Sequence, residues 1–155
     1  MRIGWDSQFC VGKREGALRR LVEIYKFHSV RAAASVFAEM LDGAVPDDFV
    51  LAPLPTIARH VRERGFDHVG LIVNKMKLPM ARVLVRNKNS VQVGASREKR
   101  AAQAKEAYRV TNVDPEAKYL LFDDVWTTGS SMMAAIEKLR EAGAKKIGIV
   151  VIARS

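Results

Sequence analysis

The amino-acid sequence predicts one α/β domain over residues 1–155, with a central, mostly parallel sheet flanked by helices. Short apolar runs such as residues 119–122 and 147–152 contain no charged side chain, as expected of strands buried on both faces. These runs alternate with segments of helical periodicity, which favours parallel strands joined by helices. The chain also has the length of a single domain.

The composition indicates a globular protein that prefers anionic ligands. Hydrophobic residues make up 48% of the chain, and 26 Lys and Arg against 17 Asp and Glu give a net charge of +9. This balance favours nucleic acid or a multiply phosphorylated small molecule. No apolar run approaches the roughly 20 residues of a membrane helix, and the start does not resemble a signal peptide. We therefore expect a cytoplasmic protein with no membrane partner.

The chain offers little for a metal centre or a crosslink. Cys10 is the single cysteine, which excludes an internal disulfide and a cysteine zinc cluster. His28, His60 and His68 lack metal-ligand spacing, so we expect each of them at the surface or satisfied within the core.

Residues 1–43 are predicted to form two helices that pack on the core. Residues 12–27 carry apolar side chains at helical spacing. Ser29 is expected to cap a second helix that ends near residues 42–43. The core-facing side chains predicted for the two helices are Leu18, Leu21, Val22, Tyr25, Val36, Phe37, Met40 and Leu41.

A strand is predicted at residues 49–52, and it leads into two prolines, Pro53 and Pro55. The prolines fix the backbone at the carboxyl end of the strand, and the simplest interpretation is a rigid connection to a helix. Helical periodicity then covers residues 57–77 with an interruption at 64–67. Residues 80–86 are predicted to be another short strand.

Residues 87–108 are predicted to leave the sheet and lie over its carboxyl edge. Asn, Ser and Gly without periodicity indicate a loop at 87–95, Ser96 begins a charged helix that reaches about residue 104, and residues 108–110 return as a strand. Between residues 75 and 109, ten basic residues stand against two acidic ones. Such a run is usually a solvated face, but beside a phosphate site a role in binding polyanions is an equally good interpretation.

The most informative segment is residues 119–131, where an apolar strand ends in Asp123 and Asp124. Open α/β sheets bind ligands at the carboxyl ends of their strands. The following loop can surround a phosphate, helped by the dipole of a helix that begins near Ser130. Sugar-hydroxyl acceptors beside phosphate donors suit a ribose 5-phosphate. The alternative interpretation is an ordinary strand exit with a helix cap. The loop residues are Thr127, Thr128, Gly129, Ser130 and Ser131.

The last predicted elements are a helix at residues 130–142 and a buried strand at 146–153. Met133, Ile136 and Leu139 keep helical register, and Gly143 suits the end of the helix. Trp126, at the mouth of the preceding loop, is interpreted as packing beneath the loop rather than stacking on a ligand.

The string at residues 119–131 resembles the phosphoribosyl pyrophosphate (PRPP) signature of the type I phosphoribosyltransferases. The resemblance implies that family's fold, with a flexible-loop hood, here residues 87–108. It also implies that Asp123 and Asp124 are the catalytic pair that holds the ribose 2′ and 3′ hydroxyls. Residues 127–131, called the phosphate loop below, would then hold the 5′-phosphate. The implied pyrophosphate loop consists of Leu54, Pro55, Thr56 and Arg59.

Further segments resemble the ComF group of these proteins, which is associated with competence for DNA uptake. Residues 64–67, Arg-Gly-Phe-Asp, resemble that group's Arg-Gly-Phe-Asn element, and residues 139–144 resemble its C-terminus. A second pattern of the group is matched at Gln92, Ser96, Arg100 and Gln103. The resemblance implies that Gln92, Arg97 and Arg100 belong to the flexible loop. Many ComF-like proteins begin with a zinc ribbon, and this sequence does not contain its cysteines.

The resemblance leaves several functions open. The favoured one is an enzyme that transfers a phosphoribosyl group from PRPP to a nitrogenous acceptor and releases pyrophosphate. Its Mg²⁺ would be held mainly through substrate and water, with no direct protein ligand. The alternative is a non-enzymatic accessory protein that binds single-stranded DNA or a competence helicase. A PRPP-sensing regulator is a third possibility. The family often dimerises, so the resemblance leaves a homodimer open, and the oligomeric state does not follow from the sequence. The sequence does not indicate the acceptor.

Overall fold

The computed structural model describes residues 4–87, 96, 98, 99, 103 and 106–155. Its central sheet has four strands in the order β1-β6-β5-β2, and each neighbouring pair is parallel. These strands are β1 (Ser7–Lys13), β2 (Val50–Pro53), β5 (Lys118–Trp126) and β6 (Lys146–Arg154). The predicted α/β fold with a central parallel sheet is confirmed. A separate antiparallel pair consists of β3 (Leu84–Arg86) and β4 (Tyr108–Val110).

Helices cover both faces of the central sheet. They are α1 (Gly16–Phe27), α2 (Ala33–Ala44), α3 (Ala58–Arg64), α4 (His68–Val73) and α5 (Ser130–Glu141). One apolar cluster lies between the sheet and α1, α2 and α4, and a second lies under α5 and the β3–β4 pair. No helix in the described part of the chain is long and apolar enough to cross a membrane.

The side chains of β5 alternate between these two clusters. Leu120 and Phe122 pack in the cluster beneath α1, α2 and α4, whereas Tyr119 and Leu121 pack beneath α5. Successive side chains of a strand point to opposite faces of the sheet. Residues 119–122 are therefore continuously apolar, and the same alternation governs Asp123 and Asp124, the next two residues of β5.

The N-terminal segment differs from its prediction, because it begins with strand β1. The sequence predicted only helices in residues 1–43, with the first starting at residue 12. The helix starts instead at Gly16, after β1 has paired in parallel with β6 at the edge of the sheet. An edge strand is only partly covered, and the side chains of β1 are intermediate or exposed, so its apolar run is limited to residues 9–11.

The orientation of α2 also differs in part from the prediction. Val36 and Met40 are 42% and 40% exposed, whereas Phe37 and Leu41 are fully buried. The other buried positions of this helix are Ala33, Ala34 and Ala38. Ser29 does not cap α2, since it adopts a left-handed φ of 54° and the helix begins at Ala33. The helix turns its alanines to the core, which lets it pack closely.

The connections around β2 and β3 fit the predictions in part. The interruption at residues 64–67 is confirmed, because Gly65, with φ of 80°, ends α3 before α4 begins. The strand predicted at 80–86 divides into two parts. Met80 forms an isolated parallel bridge with Leu51, and only residues 84–86 form a strand, in the second sheet.

The predicted strand at residues 108–110 is β4. Glu98, Lys99, Gln103 and Glu106 are helical, in agreement with the charged helix predicted there. Much of the hood lies outside the described residues, and so do the predicted flexible-loop residues Gln92, Arg97 and Arg100.

Candidate active site

Two pockets meet at the carboxyl ends of β2 and β5. The larger is an open cleft of about 220 Å³, bordered by the predicted pyrophosphate loop, by α3 and α4, and by the β3–β4 pair. The smaller, of about 50 Å³, is formed by the phosphate loop. Asp123 and Ser131 line both pockets. A single ligand could therefore extend from one pocket into the other across Asp123.

The two acidic residues of the signature have different surroundings. Asp123 follows Leu121 on the α5 face of the sheet, whereas Asp124 follows Phe122 on the opposite face. Asp124 is only 6% exposed. Its Oδ2 lies 2.7 Å from Nζ of Lys26 and 3.1 Å from Nε2 of His68. The structure thus brings both carboxylates to the cleft, but Asp124 already has two nitrogen partners.

The partners of Asp124 determine its charge. Burial alone would raise the pKa of Asp124, but the hydrogen bond from His68 and the positive charge of Lys26 hold this pKa well below its ordinary value. Arg64 lies 2.8 Å from Nδ1 of His68. Because a guanidinium can only donate, Nδ1 accepts and the ring hydrogen is assigned to Nε2, which faces Asp124.

Asp123 has the opposite electrostatic character. Burial, followed by the charge of the neighbouring Asp124, raises the pKa of Asp123 to about 8. Its Oδ1 accepts the amide of Asp124 at 2.8 Å. Burial and the charge of Asp124 therefore favour the protonated form of Asp123 at the junction of the two pockets, next to an ionised Asp124.

The phosphate loop has the shape of an anion cradle. Gly129 adopts a left-handed φ of 78°, and a Cβ at this position would lie 2.5 Å from the ring of Trp126. Trp126 thus packs against the loop, as expected. The hydroxyls of Thr128 and Ser130 are 3.0 Å apart. The first residues of α5 line the pocket, and their amides have no helical partner, because α5 begins at Ser130 without a side-chain cap from Gly129. The Ser130 amide lies 3.4 Å from the Thr128 hydroxyl.

The predicted pyrophosphate loop lies on the other side of Asp123. The buried Leu54 donates its amide to the carbonyl of Phe122 at 2.9 Å, and Pro55 and Thr56 line the cleft. Arg59 is placed differently. Its exposed side chain bonds to Glu63 at 2.8 Å along α3, and it is not among the described residues that line the cleft.

Sequence reasoning missed several basic and aromatic residues at the cleft. The cleft is lined by Lys26, His60, Arg64, Arg86 and Tyr108. The guanidinium of Arg86 lies over the ring of Tyr108, 5.1 Å from its centroid. Arg86 and Tyr108 are opposite each other in the β3–β4 pair. Only the strand prediction at 108–110 hinted at Tyr108. Lys26 carries no local signal, because its position in the site depends on how α1 packs.

The described residues fit an Mg²⁺ ion that is held jointly by the protein, the substrate and water. In the part of the chain that the structure describes, no group of three or more His, Cys, Asp and Glu could hold a metal ion. Among the described residues, Asp123 is the one carboxylate that lines both pockets. Mg²⁺ commonly binds to one or two carboxylates while it keeps substrate oxygens and waters.

The parallel α/β sheet carries an acidic strand end, a hydroxyl-rich glycine loop and a helix N-terminus at the edge where open α/β sheets bind their ligands. Comparison with known families identifies the class of protein. The phosphoribosyl transferase domain family matches residues 60–155, which is more than half of the chain. The protein therefore belongs to this family.

Individual relatives agree with this assignment. The chain is 28% identical over 115 residues to the competence protein ComFC of Bacillus subtilis, which covers 74% of this chain and 48% of ComFC. It is 29% identical over 100 residues to the orotate phosphoribosyltransferase of Levilactobacillus brevis, covering 64% and 41%. It is also 31% identical over 88 residues to the orotate phosphoribosyltransferase of Staphylococcus aureus, and this match covers 57% of this chain and 37% of that protein. The ComF resemblance is confirmed, and the matches span less than half of each relative.

Proposed function

We propose that the protein binds PRPP and transfers its phosphoribosyl group to a nitrogenous acceptor with release of pyrophosphate. The observation that carries this proposal is that Asp123 and Ser131 line both pockets. A ribose over Asp123 would place its 5′-phosphate in the phosphate loop. Its pyrophosphate would then lie in the cleft, beside Leu54, Pro55 and Thr56.

The chemistry requires separation of charge. When the bond from C1′ to pyrophosphate breaks, positive charge develops on the sugar and negative charge on the leaving group. Lys26, Arg64 and Arg86 line the cleft where the pyrophosphate would leave, and their preorganised charges stabilise it. Bound Mg²⁺ would supply further neutralisation of the pyrophosphate oxygens.

Asp123 is suited to the sugar side of this reaction. As a protonated carboxyl it can both donate to and accept from ribose hydroxyls. Positive charge on the sugar favours the carboxylate form, so the group can respond to the developing charge. Asp124 lines the same cleft, where Lys26 and His68 keep it ionised beside the ribose.

Calorimetric titration with PRPP and Mg²⁺ tests the proposal. Wild-type protein is expected to bind, and Asp123→Asn is expected to lose at least tenfold in affinity. Asp47→Asn is a matched control, since it makes the same substitution at an exposed residue just before β2, at the amino end of that strand. Absence of binding by folded wild-type protein, or an equal loss in both variants, would contradict the proposal.

A second candidate is an accessory role in DNA uptake through single-stranded DNA or a helicase partner. The net charge of +9 and the similarity to the competence protein ComFC favour it. Such binding would use phosphate contacts and would therefore weaken steeply as salt increases.

A further inference from the structure

We propose that Asp67 is a positioning residue that holds the pyrophosphate loop in place at Thr56. This inference rests on the proposed function, because it assigns Asp67 a part in recognising pyrophosphate. The Thr56 hydroxyl donates to Oδ1 of Asp67 at 2.8 Å. The same oxygen accepts the amide of Gly70 at 3.1 Å. One carboxylate thus joins the pyrophosphate loop to the first turn of α4.

The turn that precedes Asp67 is held in place by contacts with Arg31 and Tyr25. Gly65 ends α3 in a left-handed conformation, and its carbonyl accepts a hydrogen bond from Arg31 at 3.0 Å. Phe66 is buried with its ring edge-on to Tyr25 at 5.4 Å between centroids. The turn before Asp67 is therefore anchored to the core, and a hydrogen bond from Asp67 can restrict the residue it contacts.

The local packing is built around the Asp67 carboxylate. A Cβ at Gly70 would lie 2.5 Å from Oδ2 of Asp67, so the carboxylate occupies the space that a larger residue would need. Capping α4 does not require a side chain as long as that of aspartate, since serine caps helices well. The contact with Thr56 does require the longer aspartate side chain. The side chain at position 67 therefore does two separable things, and shortening it removes only the contact with the loop.

The contact matters because the other hydrogen bonds that the described part of the chain shows beside Thr56 are made by its neighbours. After Thr56, the Ile57 carbonyl accepts the amide of Val61 at 3.2 Å, and the bonds before it involve Leu54 and Pro55. The Leu54 amide bonds to Phe122 at 2.9 Å, and Arg86 donates to the Pro55 carbonyl over a long 3.5 Å. Thr56 is half-buried and lines the cleft. If Asp67 did not hold it, the loop would have to be ordered by the ligand, and this ordering would weaken binding.

Binding of two separate probes tests the proposal. Inorganic pyrophosphate with Mg²⁺ and ribose 5-phosphate are titrated calorimetrically into wild type, Asp67→Ser, Asp67→Asn and Thr56→Val. Asp67→Ser and Thr56→Val are each expected to weaken pyrophosphate binding by about fivefold to tenfold. The double variant Thr56→Val/Asp67→Ser should bind pyrophosphate no more weakly than either single variant, because both changes remove the same hydrogen bond. Asp67→Asn keeps the acceptor and should bind within about twofold of wild type.

Ribose 5-phosphate separates positioning from general damage. Asp67→Ser is expected to bind it as wild type does. Unchanged pyrophosphate affinity in Asp67→Ser would overturn the proposal, and so would an equal weakening of both ligands.

Failure of the proposed function would give a different result, in which wild type binds neither probe. Amide hydrogen exchange then decides on Asp67. Faster exchange at Thr56 and Ile57 in Asp67→Ser than in Asp67→Asn supports the positioning role, whereas equal rates in all variants overturn it.

Discussion

Asp123 and Asp124 are adjacent in sequence, yet the sheet gives them opposite electrostatic surroundings. Burial and the neighbouring carboxylate raise the pKa of Asp123, whereas contacts with His68 and Lys26 lower the pKa of Asp124. One residue is therefore suited to exchange a proton with its surroundings, and the other to remain charged. This division follows from the two-residue period of a strand, which places neighbours on different faces.

The raised pKa of Asp123 predicts a pH-dependent stability. With a pKa of about 8, the folded protein retains a proton that the unfolded chain loses near pH 4. The folded state thus binds more protons between these values, and stability falls as pH rises through this window. Asp123→Asn removes the effect, so the variant should be more stable than wild type, increasingly so from pH 5 to pH 8. Urea unfolding at several pH values measures this, and a difference independent of pH would contradict it.

Asp124→Asn should act in the opposite direction. The lowered pKa of Asp124 contributes stability above pH 4 that is lost as pH falls through its folded-state pKa. The amide would leave Lys26 without its buried counter-charge, at an expected cost of about 3 kcal/mol in the free energy of unfolding at pH 7. Asp47→Asn should change it by less than about 0.5 kcal/mol. Equal unfolding free energies for the two variants would refute the assigned ion pair.

At the scale of elements, α2 shows how packing corrects a sequence pattern. The periodicity of its large apolar residues predicted Val36 and Met40 in the core, but both are about 40% exposed. Alanine has too little hydrophobicity to mark a face in the sequence, although in the fold it permits close approach of the helix. Apolar spacing therefore predicted that α2 exists, and only its neighbours determine its rotation.

The rotation of α2 can be tested with two truncations. Phe37→Ala is expected to cost about 3–4 kcal/mol of unfolding free energy, because it leaves a cavity against Tyr25. Val36→Ala, one residue earlier, should cost less than about 1 kcal/mol. Chemical denaturation measures both, and a larger loss for Val36→Ala would show that α2 is oriented differently.

At the scale of the whole molecule, the local features were predictable and the distant ones were not. The strand, acidic pair and loop of residues 119–131 are continuous in sequence, so their arrangement followed from general rules for α/β sheets. Lys26 and His68 come from other parts of the chain and reach Asp124 only after α1 and α4 have packed. Strand β1 was missed for a related reason, since a partly covered edge strand carries a weak pattern.

Binding of PRPP at the cleft and binding of single-stranded DNA through the net positive charge can be measured separately. If PRPP binds at Asp123 and any single-stranded DNA binds through the basic residues between positions 75 and 109, Asp123→Asn should lose PRPP affinity but keep DNA affinity, because Asp123 lies outside that basic run. Calorimetry with PRPP and fluorescence anisotropy with an oligonucleotide measure the two affinities. Loss of both in a folded variant would show that one surface serves both ligands.

The central claim is that the phosphate loop holds the 5′-phosphate of a ribose lying over Asp123. Titration of ¹⁵N-labelled protein with ribose 5-phosphate, followed by backbone amide NMR, tests it most directly. The largest shifts are expected at Gly129, Ser130 and Ser131. They should disappear in Gly129→Ala, whose Cβ would collide with Trp126, and persist in Gly43→Ala, where the space is open. Shifts elsewhere with none in the loop, or identical titrations of both variants, would contradict the claim.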